Sequence, residues 1–288
     1  MAVEEFFGAQ TAWFSEVESA AIKVYEHHNP TVPNIGDITK VDWANVPGVD
    51  IMCGGSPCQD MSMAGARAGM FNGTRSGLWE NMREGIATLL PKYVVWENVK
   101  GAFSATAYSE VERAEGRVGG LRALGRVVGD LASLGYDCRW GVVRASDAGA
   151  PHRRERVFLL AARRGSGASY PTGSRRGSGP LTSSVEASDA GPASNSTDSY
   201  ARWGVYRVVM ARWASRLASL APDPIRGWSR NGYMRYNEDF TEWLMGLPHH
   251  YTKVADVTRR ERMKMLGNGV VPQQAMLALE LLTGEHFD

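Results

Sequence analysis

The chain has 288 residues, 43% of them hydrophobic, and a formal net charge of +1 at pH 7. This length can bury a complete α/β core and leave room for a small second region. The balanced charge excludes the overall basicity of many nucleic-acid binders, so contact with a polyanion must come from local arginine clusters.

The cysteines and the hydropathy pattern indicate the compartment. Three cysteines without a pairable framework predict no disulfides, and Cys53 and Cys138 lie in apolar contexts typical of core positions. The sequence shows no signal peptide, no lipidation signature and no apolar run long enough to cross a bilayer. We therefore expect a cytoplasmic monomer without a membrane partner.

The N-terminal residues predict two helices separated by a short strand. Met1 to Phe7 and Ser19 to His28 have helical patterns, and Thr11 to Ser15 predicts a strand that ends at Glu16. A carboxylate in this position is the usual partner of ribose hydroxyls in nucleotide-binding sheets. Gly36-Asp37-Ile38-Thr39, taken alone, indicates a loop.

A cysteine follows the next predicted strand. The apolar run from Val49 ends in Gly54-Gly55 and presents Cys58 behind Pro57. Reacting groups of open α/β sheets collect at the carboxyl ends of strands, and Pro57 restricts the direction of the thiol. A lone cysteine is more often a small buried hydrophobe, so only its combination with other motifs favours chemistry.

Two further predicted strands carry charged side chains near their ends. Tyr93 to Val99 contains Glu97, which in isolation would be a solvated strand end or a helix cap. Residues 150–160 open with charges and close as an apolar strand. Alternation places Arg154 and Arg156 on one face of this strand and Arg153 and Glu155 on the other.

The composition changes after these strands. Residues 163–199 are rich in Gly, Ser, Pro, Ala and Thr, which predicts a flexible segment. A cationic and aromatic stretch, Pro224 to Tyr236, could enter a nucleic-acid groove, although an irregular surface loop explains it equally well. Leu266 to Pro272 predicts a tight turn that leads into a helix from Gln273 to Leu282. One amphipathic helix is predicted before Pro224, from the helical spacing of the apolar residues Trp203, Val205, Val208, Val209, Trp213, Leu217 and Leu220.

Four motifs occur in an order that resembles one enzyme family. Pro57-Cys58-Gln59, Glu97-Asn98-Val99, Arg154-Glu155-Arg156 and Gly267-Asn268 together resemble the DNA (cytosine-5) methyltransferases, over roughly residues 11–160 and 238–284. The resemblance implies a class I S-adenosylmethionine-dependent methyltransferase fold: a Rossmann-like, doubly wound α/β sheet, mostly parallel, with a small target-recognition region. The implied divisions are a catalytic and cofactor-binding domain at 1–162, the flexible segment at 163–199, a reduced recognition region at 200–237 and a returning C-terminal segment at 238–288.

The implied reaction is methylation of carbon 5 of cytosine in double-stranded DNA. Carbon 5 is a poor nucleophile, so the thiolate of Cys58 must first add at carbon 6. Glu97 is implied to contact N3 and the exocyclic amine, while Arg154 and Arg156 support O2 and the thiolate. An enclosed pocket raises a carboxyl pKa and guanidinium groups lower a thiol pKa, so both shifts favour reaction near neutrality. The chemistry requires no metal ion.

The resemblance also assigns the binding residues. S-adenosylmethionine contacts Glu16 through its ribose and Asp37 and Ile38 through its adenine. A base stacked in the duplex is out of reach of the thiol, so the target cytosine must be flipped out. The segment from Gln59 to Trp79 fits a mobile loop for this purpose, but its composition fits an ordinary flexible loop equally well. The remaining cofactor residues are Pro57, Asn268 and Val270, and the DNA contacts are Gln59, Ser62, Arg67, Arg75, Arg230 and Arg235.

One departure from the family lies at the start of the chain. The family begins with a central strand and a glycine-rich loop around the methionine part of the cofactor, and neither precedes the helix at Met1 to Phe7. We expect a poorly stable sheet, explained either by an upstream start codon or by a degenerate protein. Two other functions therefore stay open: an inactive or truncated DNA-binding relic, and a tRNA cytosine-5 methyltransferase. The long insert and the missing Cys-Phe-Thr signature argue against the tRNA enzyme.

Overall fold

A computed structural model describes residues 1–55, 78–103, 122–167, 202–228 and 230–284. Within these ranges the principal sheet contains β1 (Ile51–Gly54), β2 (Tyr93–Val99), β3 (Tyr136–Val143) and β4 (Arg156–Arg163), in the order β1-β2-β4-β3. The helices are α1 (Ala2–Phe7), α2 (Ser19–His28), α3 (Trp79–Leu89), α4 (Ala123–Ser133), α5 (Arg207–Leu217), α6 (Glu238–Leu244), α7 (Arg259–Asn268) and α8 (Pro272–Thr283).

The described sheet is mixed rather than mostly parallel. β1 and β2 are parallel, whereas β4 pairs antiparallel with both β2 and β3. β3 and β4 are joined by residues 144–155, which form turns without a helix. Antiparallel neighbours need only such a direct connection, while parallel neighbours need a crossover, usually through a helix.

The predicted strand from Thr11 to Ser15 is wrong, because only an isolated parallel bridge joins Phe14 to Asn34. Side chains hold the neighbouring backbone instead. The hydroxyl of Ser15 donates to the carbonyl of Gly36 at 2.7 Å, and the N–H of Glu16 donates to Asn34 Oδ1 at 3.2 Å. The other N-terminal predictions are confirmed, since α1 and α2 form where the sequence indicates helices.

The sheet buries both of its faces, as the doubly wound class requires. Alternation along β2 sends Val94 and Trp96 to a core shared with α3 and α4, while Val95 faces the core formed with α1 and α8. β4 divides its side chains in the same way, with Leu159 on the first face and Leu160 on the second. The C-terminal helix therefore returns to the sheet as predicted.

A third core lies beyond the sheet, among α5, α6 and α7. Trp213 is fully buried there and packs with Trp243 and Leu266. The predicted amphipathic helix exists but is shorter, because α5 covers only Arg207–Leu217 and its buried residues are Met210, Trp213 and Ala214. Three residues assigned to its apolar face are exposed instead: Val205, Val208 and Leu220.

The cationic and aromatic stretch forms a β-hairpin rather than an irregular loop. β5 (Ile225–Trp228) pairs antiparallel with β6 (Met234–Tyr236), and neither strand buries a side chain. This hairpin projects its side chains towards solvent.

The cysteine predictions divide. Cys138 packs partly buried against the main core, as predicted. Cys53 has exposed surface, although burial raises the pKa of its thiol, so its core assignment stays a prediction. The core formed with α1 includes Ile51 and does not extend to Cys53. No helix in the described ranges combines the length and the apolar character needed to cross a membrane.

Candidate active site

Glu97 and Arg156 form an ion pair between adjacent strands. β2 and β4 align Val99 with Arg156, so Glu97 is the diagonal neighbour of Arg156 on one face of the sheet. Arg156 Nε lies 2.9 Å from Glu97 Oε1, and the two side chains are only 12% and 24% exposed. The structure thus brings together two of the four predicted catalytic residues.

Burial dominates the electrostatics of this carboxyl group. It raises the pKa of Glu97 from 4.5 to about 7, although the positive charges of Arg156 and Arg154 act in the opposite direction. Near neutrality Glu97 is therefore present in both protonation states. A carboxyl group in this condition can donate a proton to a ring nitrogen or accept a hydrogen bond from an amine.

Gly55 packs directly against Glu97 at the end of β1. A Cβ atom at residue 55 would lie 2.3 Å from the Glu97 carbonyl oxygen and 3.5 Å from Glu97 Oε2. Only glycine permits this approach of two backbones. Cys58 follows three residues later in the sequence but lies outside the described residues. The same is true of Pro57, Gln59, Ser62, Arg67 and Arg75, and of the predicted flexible segment from residue 168 onwards.

Arg154 occupies a turn rather than the strand. β4 begins at Arg156 and Arg154 has a φ of 34°, so the predicted alternation across residues 153–155 is wrong. The guanidinium group of Arg154 donates to the carbonyl oxygens of Gly267, at 2.7 Å, and Gly269. Arg154 therefore links the segment just before β4 to the end of α7, and its charge still reaches Glu97.

Gln274 is a positioning residue that the sequence did not indicate. It is fully buried on α8, and its Nε2 donates to the carbonyl oxygens of Val143 at 2.8 Å and Arg154 at 2.7 Å. These bonds fix both ends of the connection between β3 and β4. A glutamine in a helix is usually exposed, so its sequence position carried no signal.

The predicted ribose partner is oriented by the start of α2. Glu16 Oε1 accepts the backbone N–H groups of Val17 at 2.7 Å and Glu18 at 2.8 Å. Among the described residues, Glu16 Oε2 makes no hydrogen bond. An accessible carboxylate oxygen held in a fixed orientation fits the hydroxyl donors of a ribose.

The other predicted cofactor residues have mixed surroundings. Asp37 Oδ1 accepts from the N–H and hydroxyl of Thr39, and these hydrogen bonds hold the pKa of Asp37 below its ordinary value. Ile38 packs partly against the main core, which limits the surface it can offer to an adenine ring. Asn268 ends α7 and is exposed, whereas Val270 packs against the core of α1 and α8. The carboxylates of Glu16 and Asp37 suit the hydroxyl and amine donors of an adenosine, and Glu16 is the better placed of the two.

The hairpin presents the two described residues that were predicted to bind DNA. Arg230 and Arg235 line an open cavity of about 560 Å³ together with Trp228 and Asn231. Trp228 is 66% exposed and the neighbouring Tyr233 is 73% exposed. Cations and exposed aromatic rings are therefore combined on one surface.

A buried ionic network supports the hairpin, and the sequence did not reveal it. Glu238 is 2% exposed and forms ion pairs with Arg226 of the hairpin and Arg259 of α7. Arg262, itself 5% exposed, donates to Asp239 Oδ1 at 2.9 Å. The hairpin is thereby attached to α6 and α7 by charged side chains rather than by apolar packing.

The family follows from a comparison of the whole sequence with family models. The model of the C-5 cytosine-specific DNA methylases matches residues 4–201. The chain belongs to this family. The chain is 34% identical to the Type II methyltransferase M.NlaIV of Neisseria lactamica over 148 residues, and this aligned region is 51% of the chain but only 33% of that protein. It is also 31% identical to the Type II methyltransferase M.HhaI of Haemophilus parahaemolyticus over 159 residues, and this aligned region is 55% of the chain and 44% of that protein.

Solved structures support the fold. The Dnmt2 methyltransferase of S. pombe superposes with a TM-score of 0.57 at 15% identity, covering 97% of this chain and 94% of the other chain. A putative DNA modification methyltransferase from an E. coli prophage gives a TM-score of 0.55 at 16% identity, covering 95% and 92%. The class I methyltransferase fold predicted from the sequence is thus confirmed, and its family implies use of S-adenosylmethionine.

Proposed function

We propose that this methylase transfers a methyl group from S-adenosylmethionine to carbon 5 of cytosine in double-stranded DNA. The observation that carries the proposal is the buried Glu97–Arg156 pair beside Gly55, with a carboxyl pKa of about 7. A strand end with a carboxyl group that changes protonation near neutrality suits acid catalysis on a cytosine ring.

Cys58 is the nucleophile in this proposal. Its thiolate sulfur forms a bond to carbon 6, and the electron pair of the 5,6 double bond becomes available at carbon 5. After methylation, loss of the carbon 5 proton and expulsion of the Cys58 thiolate restore the aromatic ring. Gly55 supports this assignment, because it leads the chain towards Cys58 while in contact with Glu97.

Glu97 and the arginines stabilise the charge that the thiolate adds to the ring. The protonated form of Glu97 donates to N3, and its second oxygen accepts from the exocyclic amine. Arg156 forms an ion pair with the Glu97 carboxyl group and is assigned to O2 of the cytosine. Arg154 supplies positive charge from a position fixed by Gly267 and Gly269.

The cofactor residues are Glu16 for the ribose hydroxyls, Asp37 and Ile38 for the adenine, and Pro57, Asn268 and Val270 for the remainder. S-adenosylmethionine supplies an electrophilic methyl group when it is bound. Glu16 is the firmest of these assignments, because two backbone N–H groups already orient its carboxylate through Oε1 and leave Oε2 outside these hydrogen bonds.

DNA contact divides between two regions in this proposal. The segment from Gln59 contributes Ser62, Arg67 and Arg75, and the hairpin contributes Arg230 and Arg235. The exposed cations and aromatic rings of the hairpin support the second assignment, since Arg reads base edges or binds phosphates. Residues 200–237 would then be a reduced recognition region, joined to the catalytic domain at 1–162 by the Gly- and Ser-rich segment at 163–199 and followed by the C-terminal segment at 238–288.

We also propose a cytoplasmic monomer, since a thiolate nucleophile stays reduced in that compartment. The relatives named as Type II methyltransferases support a role in restriction-modification.

The test is transfer of labelled methyl groups from S-adenosylmethionine to duplex DNA and, separately, to tRNA. We expect label in cytosine of DNA, loss of label with Cys58→Ala, and retained label with the matched control Cys138→Ala. Label in tRNA alone would overturn the choice of substrate. Label in DNA that persists in Cys58→Ala would overturn the covalent mechanism, and no label in either substrate would overturn the enzyme assignment.

A further inference from the structure

Three side chains of types that commonly bind metals, one carboxylate and two imidazoles, lie together at the start of α6, outside the proposed active site. Asp239 is the second residue of this helix, and His249 and His250 follow its C-terminal turn. One ligand atom from each of the three residues lies within 4.8 Å of the other two. Imidazole nitrogens and a carboxylate oxygen are the ligands that Zn²⁺ takes in proteins.

The spacing of two of these ligands already suits a metal. His250 Nε2 lies 3.5 Å from Asp239 Oδ2. Two ligands at about 2.1 Å from a tetrahedral Zn²⁺ are about 3.4 Å apart. The His249 and His250 rings are in contact, with centroids 3.6 Å apart, and a nitrogen of His249 lies within 4.8 Å of the other two ligand atoms.

The carboxylate is held in the manner of a metal ligand. Arg262 donates to Asp239 Oδ1 at 2.9 Å, which leaves Oδ2 directed at His250. A hydrogen bond to the non-coordinating oxygen orients a ligating carboxylate. The buried carboxylates of Glu238 and Glu242 offset the positive charge of Arg262, so that charge does not stand uncompensated near the site.

We propose that Asp239, His249 and His250 bind one Zn²⁺ ion and leave a fourth position for water. The ion would fasten the turn at His249 and His250 to the first turn of α6. Glu238, next to Asp239, holds Arg226 of the hairpin, so the site would stabilise the base of the hairpin. The site takes no part in the proposed methyl transfer, and its failure would leave that proposal untouched.

The test uses the full chain without a polyhistidine tag, dialysed against EDTA and then titrated with ZnCl₂ in a calorimeter. We expect one Zn²⁺ per chain, and at least tenfold weaker binding in His249→Ala and in His250→Ala. His27→Ala is the matched control, because His27 is an exposed member of another adjacent histidine pair and should leave the affinity unchanged. Unchanged affinity in both His249→Ala and His250→Ala, or no stoichiometric binding by the wild type, would overturn the proposal.

A second measurement needs no substitution and so does not depend on whether the variants fold. X-ray absorption at the zinc edge of the loaded wild-type protein counts the imidazole ligands. Two imidazoles and oxygen ligands are expected. A spectrum with fewer than two imidazoles would overturn the assignment of both histidines.

Discussion

Replacement of Glu97 by Gln should remove a pH-dependent loss of stability. Glu97 has its pKa raised by burial from 4.5 to about 7. Between these values the folded protein keeps a proton that the unfolded chain has released, so the folded state binds more protons. The contribution of Glu97 to stability is therefore fully present below pH 4.5 and is lost as the pH rises through 7. Gln resembles the protonated carboxyl group and does not ionise.

The size of the effect follows from the pKa. The full shift corresponds to about 3.4 kcal/mol, at 1.36 kcal/mol for each pKa unit. About 0.8 kcal/mol of this loss falls below pH 5 and less than about 0.1 kcal/mol falls above pH 8, which leaves about 2.5 kcal/mol between pH 5 and pH 8. The difference in unfolding free energy between Glu97→Gln and the wild type should rise by this amount, in favour of the variant, over that range.

The assay is urea unfolding of both proteins at intervals from pH 5 to pH 8. Titration of all other groups cancels in the difference between the two curves. Glu155→Gln is the control, because hydrogen bonds from Lys100 and Arg144 lower the pKa of Glu155 and keep it ionised throughout the range. Its difference curve should be flat above pH 5. A flat curve for Glu97→Gln would refute the reasoning, since it would mean that the Arg156 pairing balances the burial of the carboxylate.

Two further substitutions test close contacts. Gly55→Ala places a methyl group against the Glu97 carbonyl oxygen, so the two strand ends must separate. We expect roughly 1–3 kcal/mol of lost stability, measured by urea unfolding. Methyl transfer should be at least about tenfold slower. Glu238→Ala leaves the buried charge of Arg262 with one carboxylate fewer and releases Arg259, and should cost roughly 3–5 kcal/mol by the same measurement.

Each substitution has a control of the same chemistry elsewhere in the chain. Gly48→Ala adds a methyl group with no heavy atom within 4 Å and should leave stability nearly unchanged. Asp137→Ala breaks the exposed pair with Arg164, which is worth less than about 1 kcal/mol. Equal losses in Gly55→Ala and Gly48→Ala would contradict the close approach at Gly55. A loss in Glu238→Ala no larger than that in Asp137→Ala would contradict the buried network.

The sequence predicted the fold where local patterns and long-range packing agree. Tyr93 to Val99 forms a strand as predicted, because its apolar and β-branched residues suit a position buried on both faces. The segment from Thr11 to Ser15 had a similar local pattern, but within the described residues it pairs only through the single bridge from Phe14 to Asn34, and a strand exists only where a ladder forms.

The sequence indicated the candidate catalytic residues but not the buried polar residues that hold the surrounding segments in place. The family resemblance assigned Glu97 and Arg156 to one site, and the antiparallel pairing of β2 with β4, which the sequence did not indicate, brings them together. Gln274 and Glu238 are polar residues on helices, and their burial depends on partners more than ten residues away in sequence. Pattern reasoning treats such residues as surface, because periodicity reports apolar faces and carries no information about buried hydrogen bonds.

The hairpin of Ile225–Trp228 and Met234–Tyr236 contributes little apolar packing to the fold. Its strands bury no side chain, and its ionic attachment runs through Arg226. Substitutions at exposed positions usually alter stability by less than about 0.5 kcal/mol, so the stability of the fold places little restriction on what the hairpin carries. Substitutions at its exposed positions should therefore cost the fold little, whereas substitutions at Gly55 or at the Glu97–Arg156 pair disturb close contacts of the sheet. If the hairpin binds DNA as proposed, its binding preference can change without loss of the fold.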